Sequence, residues 1–127
     1  MTTSTSLNLR ALLKTAVARS GMDESARALS GLTPSAKALH VAAAAQARPH
    51  EVILYVVASD GDIEQATRDI RFVLAALEGL SDSAVERAVL PFQSHEVDPY
   101  RGLTPHIGVT SARARALHAP RSRRCAA

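Results

Sequence analysis

Apolar side chains recur at helical spacing in several stretches of this chain. The clearest pattern follows Gly61, where apolar residues stand three or four positions apart and charged residues lie mostly off that stripe. The apolar positions are Ile63, Ala66, Ile70, Val73, Leu74 and Leu77. Gly79 is a suitable stop signal, so the pattern predicts an amphipathic helix from 61 to 77.

Two further helices are predicted in the N-terminal part of the chain. Residues 7–19 carry leucine, alanine and valine at helical spacing, and Gly21 follows them as a stop. Asp23 is a suitable cap for a second, short helix that runs to Ser30.

Two Thr-Pro pairs, at 33–34 and 104–105, each combine a capping hydroxyl with a proline at the first helical position. The first pair precedes an alanine-rich stretch at 35–47, and alanine is the best helix former. The second precedes apolar residues at 107–117, and Pro120 is expected to end that helix.

Two segments are predicted to be strands. Residues 52–57, Val-Ile-Leu-Tyr-Val-Val, form a continuous apolar run, which is typical of a strand covered by helices on both faces of a parallel sheet. Residues 85–90, closed by Pro91, are a shorter candidate. The alternation of helices and strands predicts an α/β fold with a small parallel sheet flanked by helices. Because two strands make a small sheet, we expect an incomplete domain or one that takes strands from a longer protein.

Length and composition agree with one small domain that has an aliphatic core. The chain has 127 residues, 46% hydrophobic and only 3% aromatic. No apolar run approaches the roughly 20 residues of a membrane helix. The first residues do not resemble a secretory signal, and Cys125 is the only cysteine. We therefore expect a cytoplasmic protein that does not associate with a membrane.

The net charge of +3 hides an uneven distribution. All twelve acidic residues lie in 1–98, whereas 99–127 contain six arginines and no acid. The body is therefore acidic and the end is basic, and residues 120–127 form a basic tail. Such a tail can bind nucleic acid, or it can be a solvated terminus.

Residues 31–38, Gly-Leu-Thr-Pro-Ser-Ala-Lys-Ala, half match a phosphate-binding loop that opens a helix. Gly31, Ser35 and Lys37 are the candidate cofactor-binding residues. Alanine replaces the second glycine of the pattern at 36 and the Mg²⁺-binding hydroxyl at 38. We therefore expect this degenerate loop to be inactive.

The five histidines show no metal-ligand spacing, and no nucleophile is placed beside a base in the sequence. The sequence therefore predicts no catalytic residue and no metal site. Phe92 and Tyr100, in a proline-rich connection, are expected to pack onto the sheet.

The C-terminal third of the chain resembles the N-terminal domain of the bacterial transcription-repair coupling factor. The resemblance rests on 89–92 (Val-Leu-Pro-Phe), Glu96, 99–100 (Pro-Tyr) and a helix with Arg113 and Leu117. His95 departs from the tryptophan that the family most often has there.

The resemblance continues upstream, so that it covers about residues 29–118. The segment 31–39 resembles the family's Gly-Leu-x-Gly-Ser-Ala-x-Ala-Leu, with Pro34 in place of a glycine, and 53–57 and 61–77 resemble its next strand and helix. The layout is also similar to the first domain of UvrB. The degenerate loop favours the coupling factor, whose N-terminal module resembles a UvrB domain without ATPase activity.

This resemblance implies a division into an N-terminal helical segment (1–28), an incomplete UvrB-like domain (29–119) and the basic tail (120–127). It implies an interaction module that recruits UvrA and contributes to autoinhibition, and that is not itself an enzyme. The full-length family uses ATP and Mg²⁺, and contacts RNA polymerase and DNA through domains absent from this truncated chain. Two alternatives stay open: a small phosphate-loop nucleotide-binding protein and a fragment related to UvrB.

Overall fold

The computed structural model describes residues 8–21, 29–95 and 99–124, except for the side chains of Pro99 and of 120–124. Apart from a single 3-10 turn at Pro99–Arg101, the regular structure in these residues consists of five helices. They are α1 (Leu9–Ser20), α2 (Pro34–Ala47), α3 (Asp60–Glu78), α4 (Asp82–Ala88) and α5 (Ile107–Arg124).

Helix α3 is the centre of the core. Ser59 caps it by accepting a hydrogen bond from the amide of Asp62 at 3.3 Å, and Gly79 ends it in the left-handed conformation with φ of 70°. Its buried residues, Ile70, Val73, Leu74 and Leu77, all belong to the predicted stripe. The prediction for this helix is confirmed.

Small side chains let α2 lie close against α3. The buried residues of α2 are Ala38, Ala42 and Ala43, and Leu39 packs beside them. The alanine-rich helix therefore contacts another helix, where the sequence predicted contact with a sheet.

Helix α1 packs on the same core through Val17. Asn8 caps it by accepting a hydrogen bond from the amide of Ala11 at 3.2 Å. Arg10 donates hydrogen bonds of 3.0 Å to the carbonyls of Leu77 and Glu78, so α1 caps the C-terminal end of α3. The short helix predicted after Asp23 falls largely on residues outside those described.

The predicted parallel sheet is wrong. The residues described above contain no strand and no sheet, because only one of the two predicted strands is extended. Residues 52–57 lie extended against the helices without a neighbouring strand. Residues 85–88 instead belong to α4, where Val85 is buried. An α/β fold needs at least two strands side by side, so the observed fold is all-helical over the described residues.

Helix α5 differs from its prediction at both ends. It begins at Ile107, after His106, whose Nδ1 accepts a hydrogen bond from the amide of Gly108 at 3.1 Å. It continues through Pro120 to Arg124, so the prediction that Pro120 ends this helix is wrong.

Candidate functional site

The start of α2 is the place where the sequence predicts a degenerate phosphate loop. Thr33 Oγ1 accepts a hydrogen bond from the amide of Ala36 at 3.3 Å, and the carbonyl of Thr33 accepts from the amide of Lys37 at 2.9 Å. Phosphates bind helix N-termini through such free amides. Because Thr33 occupies the amide of Ala36, this segment acts as a capped helix start.

Gly31 allows the backbone to turn before α2, and no other part of the protein lies close to it. Its φ is 74°, in the region that favours glycine, and a Cβ added there would meet no atom within 4 Å. Ser35 lies exposed in the first turn of α2. The backbone conformation of Gly31 therefore accounts for this glycine without a bound phosphate.

Lys37 lines a cleft of about 310 Å³ between α2, residues 55–58 and α3. Gly31 and Ser35 do not line this cleft, so the structure does not bring the three predicted binding residues together. Tyr55, Asp62 and Asp69 contribute to its walls.

The two carboxylates of the cleft, Asp62 and Asp69, already accept hydrogen bonds. Gln65 Nε2 donates to both carboxylate oxygens of Asp69 at 2.9 Å, and the hydroxyl of Ser59 donates to Asp62 Oδ2 at 2.8 Å. Two carboxylates close to one lysine would repel a polyphosphate. The chemistry of the cleft therefore disfavours a nucleotide.

A second polar cluster joins the N-terminus of α3 to the connection before α5. The amide of Ser94 donates to Asp60 Oδ1 at 2.9 Å, and the hydroxyl of Ser94 donates to Asp60 Oδ2. These hydrogen bonds, with the positive charge of Arg113 nearby, lower the pKa of Asp60.

Arg113 completes this junction from α5. Its guanidinium lies 3.8 Å from the centre of the Phe92 ring and donates to the carbonyl of Gln93. The sequence singled out Arg113 only through the family resemblance, and Phe92 also as an aromatic residue expected to pack onto the sheet. No local signal links Asp60 to Ser94, because the two residues are 34 positions apart.

Two of the segments that carry exposed large apolar side chains are 52–57 and 100–107. The outer strip, as we call Val52, Leu54 and Val56, is 65%, 81% and 76% exposed. In the 100–107 segment, Tyr100 is 95% exposed, and Leu103 and Ile107 are also exposed. The expectation that Tyr100 packs onto a sheet is therefore wrong.

Other kinds of site receive no support within the described residues. No group of three or more His, Cys, Asp or Glu side chains there is placed to hold a metal ion. In the same residues, no helix has the length and apolar character required to cross a bilayer.

Comparison of the chain with models of protein families, with curated proteins and with solved structures finds no match.

Proposed function

We propose that this chain is an interaction module of nucleotide-excision repair, the N-terminal fragment of a transcription-repair coupling factor. In this proposal it acts in the cytoplasm, recruits UvrA and contributes to autoinhibition. RNA polymerase and DNA would be contacted by other domains of the full-length family. ATP and Mg²⁺ would likewise be bound by those domains, and not by the residues around Lys37.

The exposure of Tyr100 carries the proposal. This tyrosine belongs to the Pro-Tyr pair on which the family resemblance rests, and its side chain is 95% exposed. Tyrosine is enriched in protein interfaces because it offers a large apolar ring and a polar hydroxyl. Leu103 and Ile107 extend the exposed apolar character along the same segment. The exposed apolar side chains of the 100–107 segment contribute little to the core, and binding to a partner protein would account for them.

The cleft supports an interaction module over a small nucleotide-binding protein. Lys37 is the single lysine on its walls, and it shares them with Asp62 and Asp69. A phosphate loop requires free amides and a nearby cation. Here Thr33 occupies one such amide.

Binding to UvrA tests the proposal directly. The full chain would be titrated onto immobilised UvrA in biolayer interferometry, together with Tyr100→Ala and a matched control, Phe72→Ala. Phe72 is an aromatic residue 62% exposed on α3, outside the 100–107 segment. We expect Tyr100→Ala to weaken binding at least about tenfold, on the scale of an interface hot spot, while Phe72→Ala binds like the wild type.

Two outcomes would contradict the proposal. Absence of wild-type binding would remove the assignment to UvrA recruitment. Calorimetry with ATP and Mg²⁺ that gave micromolar affinity, lost in Lys37→Ala, would favour the nucleotide-binding alternative.

A further inference from the structure

Residues 52–57 are patterned for burial on two faces but are covered on only one. Ile53 and Val57 are partly buried, whereas the residues of the outer strip are largely exposed. A strand with one solvated face normally carries polar residues on that face. Here Val52, Leu54 and Val56 are all apolar, so the segment presents an apolar surface to solvent.

The backbone of this segment is also unpaired. In the described part of the chain, no hydrogen bond involves the amides or carbonyls of residues 52–57. An extended segment with unpaired donors and acceptors is a template for another strand. The apolar surface and the free backbone therefore coincide in six residues.

The charges at the two ends of the segment favour a second copy in antiparallel orientation. Arg48 precedes it, and Asp60 and Asp62 follow it. An antiparallel pair centred on Leu54 or Tyr55 places Arg48 of one copy at the acidic end of the other. A parallel pair would place like charges together, which is unfavourable.

Glu51, directly before residues 52–57, is compatible with the same antiparallel arrangement. Glu51 would lie opposite the uncharged stretch at 57–59 of the second copy. Asp60 is held by two hydrogen bonds from Ser94, whereas Asp62 accepts one from the hydroxyl of Ser59 and is exposed, so Asp62 is the acidic residue that we assign to Arg48.

We propose that two copies of this chain pair antiparallel through residues 52–57, with Arg48 of each copy near Asp62 of the other. The pair is a two-stranded ribbon in which outward residues lie opposite outward residues. Cross-strand contacts then shield part of each outer strip from water. This surface is separate from the 100–107 segment, so failure of the pairing would leave the proposed UvrA contact unaffected.

Sedimentation velocity over a range of concentrations tests the pairing. The wild type is expected to show a reversible monomer–dimer equilibrium. Leu54→Lys should raise its dissociation constant at least about tenfold, because it places a charge in the strip. Leu117→Lys is the matched control, since Leu117 is 63% exposed outside the strip and receives the same charge. A wild type that stays monomeric, or equal effects of both variants, would overturn the proposal.

Exchange of charges tests the orientation. Arg48→Asp and Asp62→Arg should each weaken the homodimer, because each places like charges at both ends of the ribbon. An equimolar mixture of the two variants should recover dimerisation, since opposite charges then meet at both ends. A mixture that dimerises no better than either variant alone would contradict the antiparallel arrangement.

Discussion

Helix α3 and residues 52–57 are the two segments whose sequences most strongly indicate burial, yet their environments differ. Leu77 of α3 is fully buried, whereas Leu54 is 81% exposed. The stripe of α3 meets complementary faces of α1 and α2 within the chain. Residues 52–57 meet helices on one face and nothing described on the other. An apolar pattern thus indicates which face of a segment is suited to burial. It does not indicate whether the packing partner belongs to the same chain.

The period of each pattern explains part of this difference. A helical stripe directs its apolar residues to one side, so a single packing surface satisfies it. A continuous apolar run in an extended segment directs residues alternately to two sides and leaves the backbone to be paired as well. It therefore needs more partners than a helix does.

The largest expected effect is the difference in stability between alanine variants of Leu77 and Leu54. Leu77→Ala should destabilise the fold by about 2–5 kcal/mol, because it removes buried methyl groups and leaves a cavity. Leu54→Ala should change the stability by less than about 0.5 kcal/mol, as for other exposed sites. Urea denaturation of both variants at low protein concentration measures the difference. Equal losses would show that Leu54 is buried after all.

An intermediate effect is expected where α5 joins the rest of the molecule. Arg113→Ala removes the hydrogen bond to the carbonyl of Gln93 and the contact with Phe92. We expect a loss of about 1–2 kcal/mol, on the scale of a charged hydrogen bond and a cation–π pair.

The effect on stability would differ if apolar packing, and not Arg113, held α5 to the helical core. Arg113→Ala would then leave the melting temperature unchanged, and Val109→Ala, at a partly buried position on α5, would lower it instead.

A smaller effect distinguishes the cap of α2 from a phosphate loop. Thr33→Ala should cost about 1 kcal/mol, because the amide of Ala36 loses its acceptor. Lys37→Ala should have little effect on stability, since the lysine is exposed. Thermal denaturation that ranks the two variants in the opposite order would show that Lys37 has a structural role.

The smallest effect concerns the pH dependence at Asp60. Ser94 lowers the pKa of this carboxyl below its usual value of 3.8 in the folded state. Its contribution to stability is therefore complete above about pH 4 and decreases as the pH falls through the lowered pKa. Asp60→Asn should reduce the loss of stability in acid, measured by denaturation at pH 5 and pH 3. An unchanged pH profile would mean that Asp60 and Ser94 do not interact in solution.

Much of the helical core could be predicted from local signals. The bounds of α1 and α3 agree with the sequence within about two residues, because Gly21 and Gly79 adopt the left-handed conformation at their ends. Helix α4 was missed, although Val85 and Val89 stand four residues apart, which is a helical spacing. The short apolar stretch at 85–90, followed by Pro91, was instead interpreted as a strand.

The sheet and the site could not be predicted in the same way. Pairing between strands depends on residues far apart in the sequence, and local pattern does not report whether a partner exists. The spacing of Gly31, Ser35 and Lys37 predicted a loop, but Thr33 determines its geometry by binding the amide of Ala36. The exposure of Tyr100 depends on tertiary structure, and the aromatic character of its side chain alone suggested burial.

Hydrogen exchange of the backbone amides tests the contrast between α3 and residues 52–57 most directly. In dilute protein, we expect the amides of 70–77 to exchange slowly and those of 53–57 to exchange nearly as fast as in an unfolded peptide, because the latter have no acceptor within the described chain. Protection of 53–57 should rise with protein concentration as copies pair. Slow exchange of 53–57 that does not depend on concentration would contradict the account, since it would place these residues in a sheet within one chain.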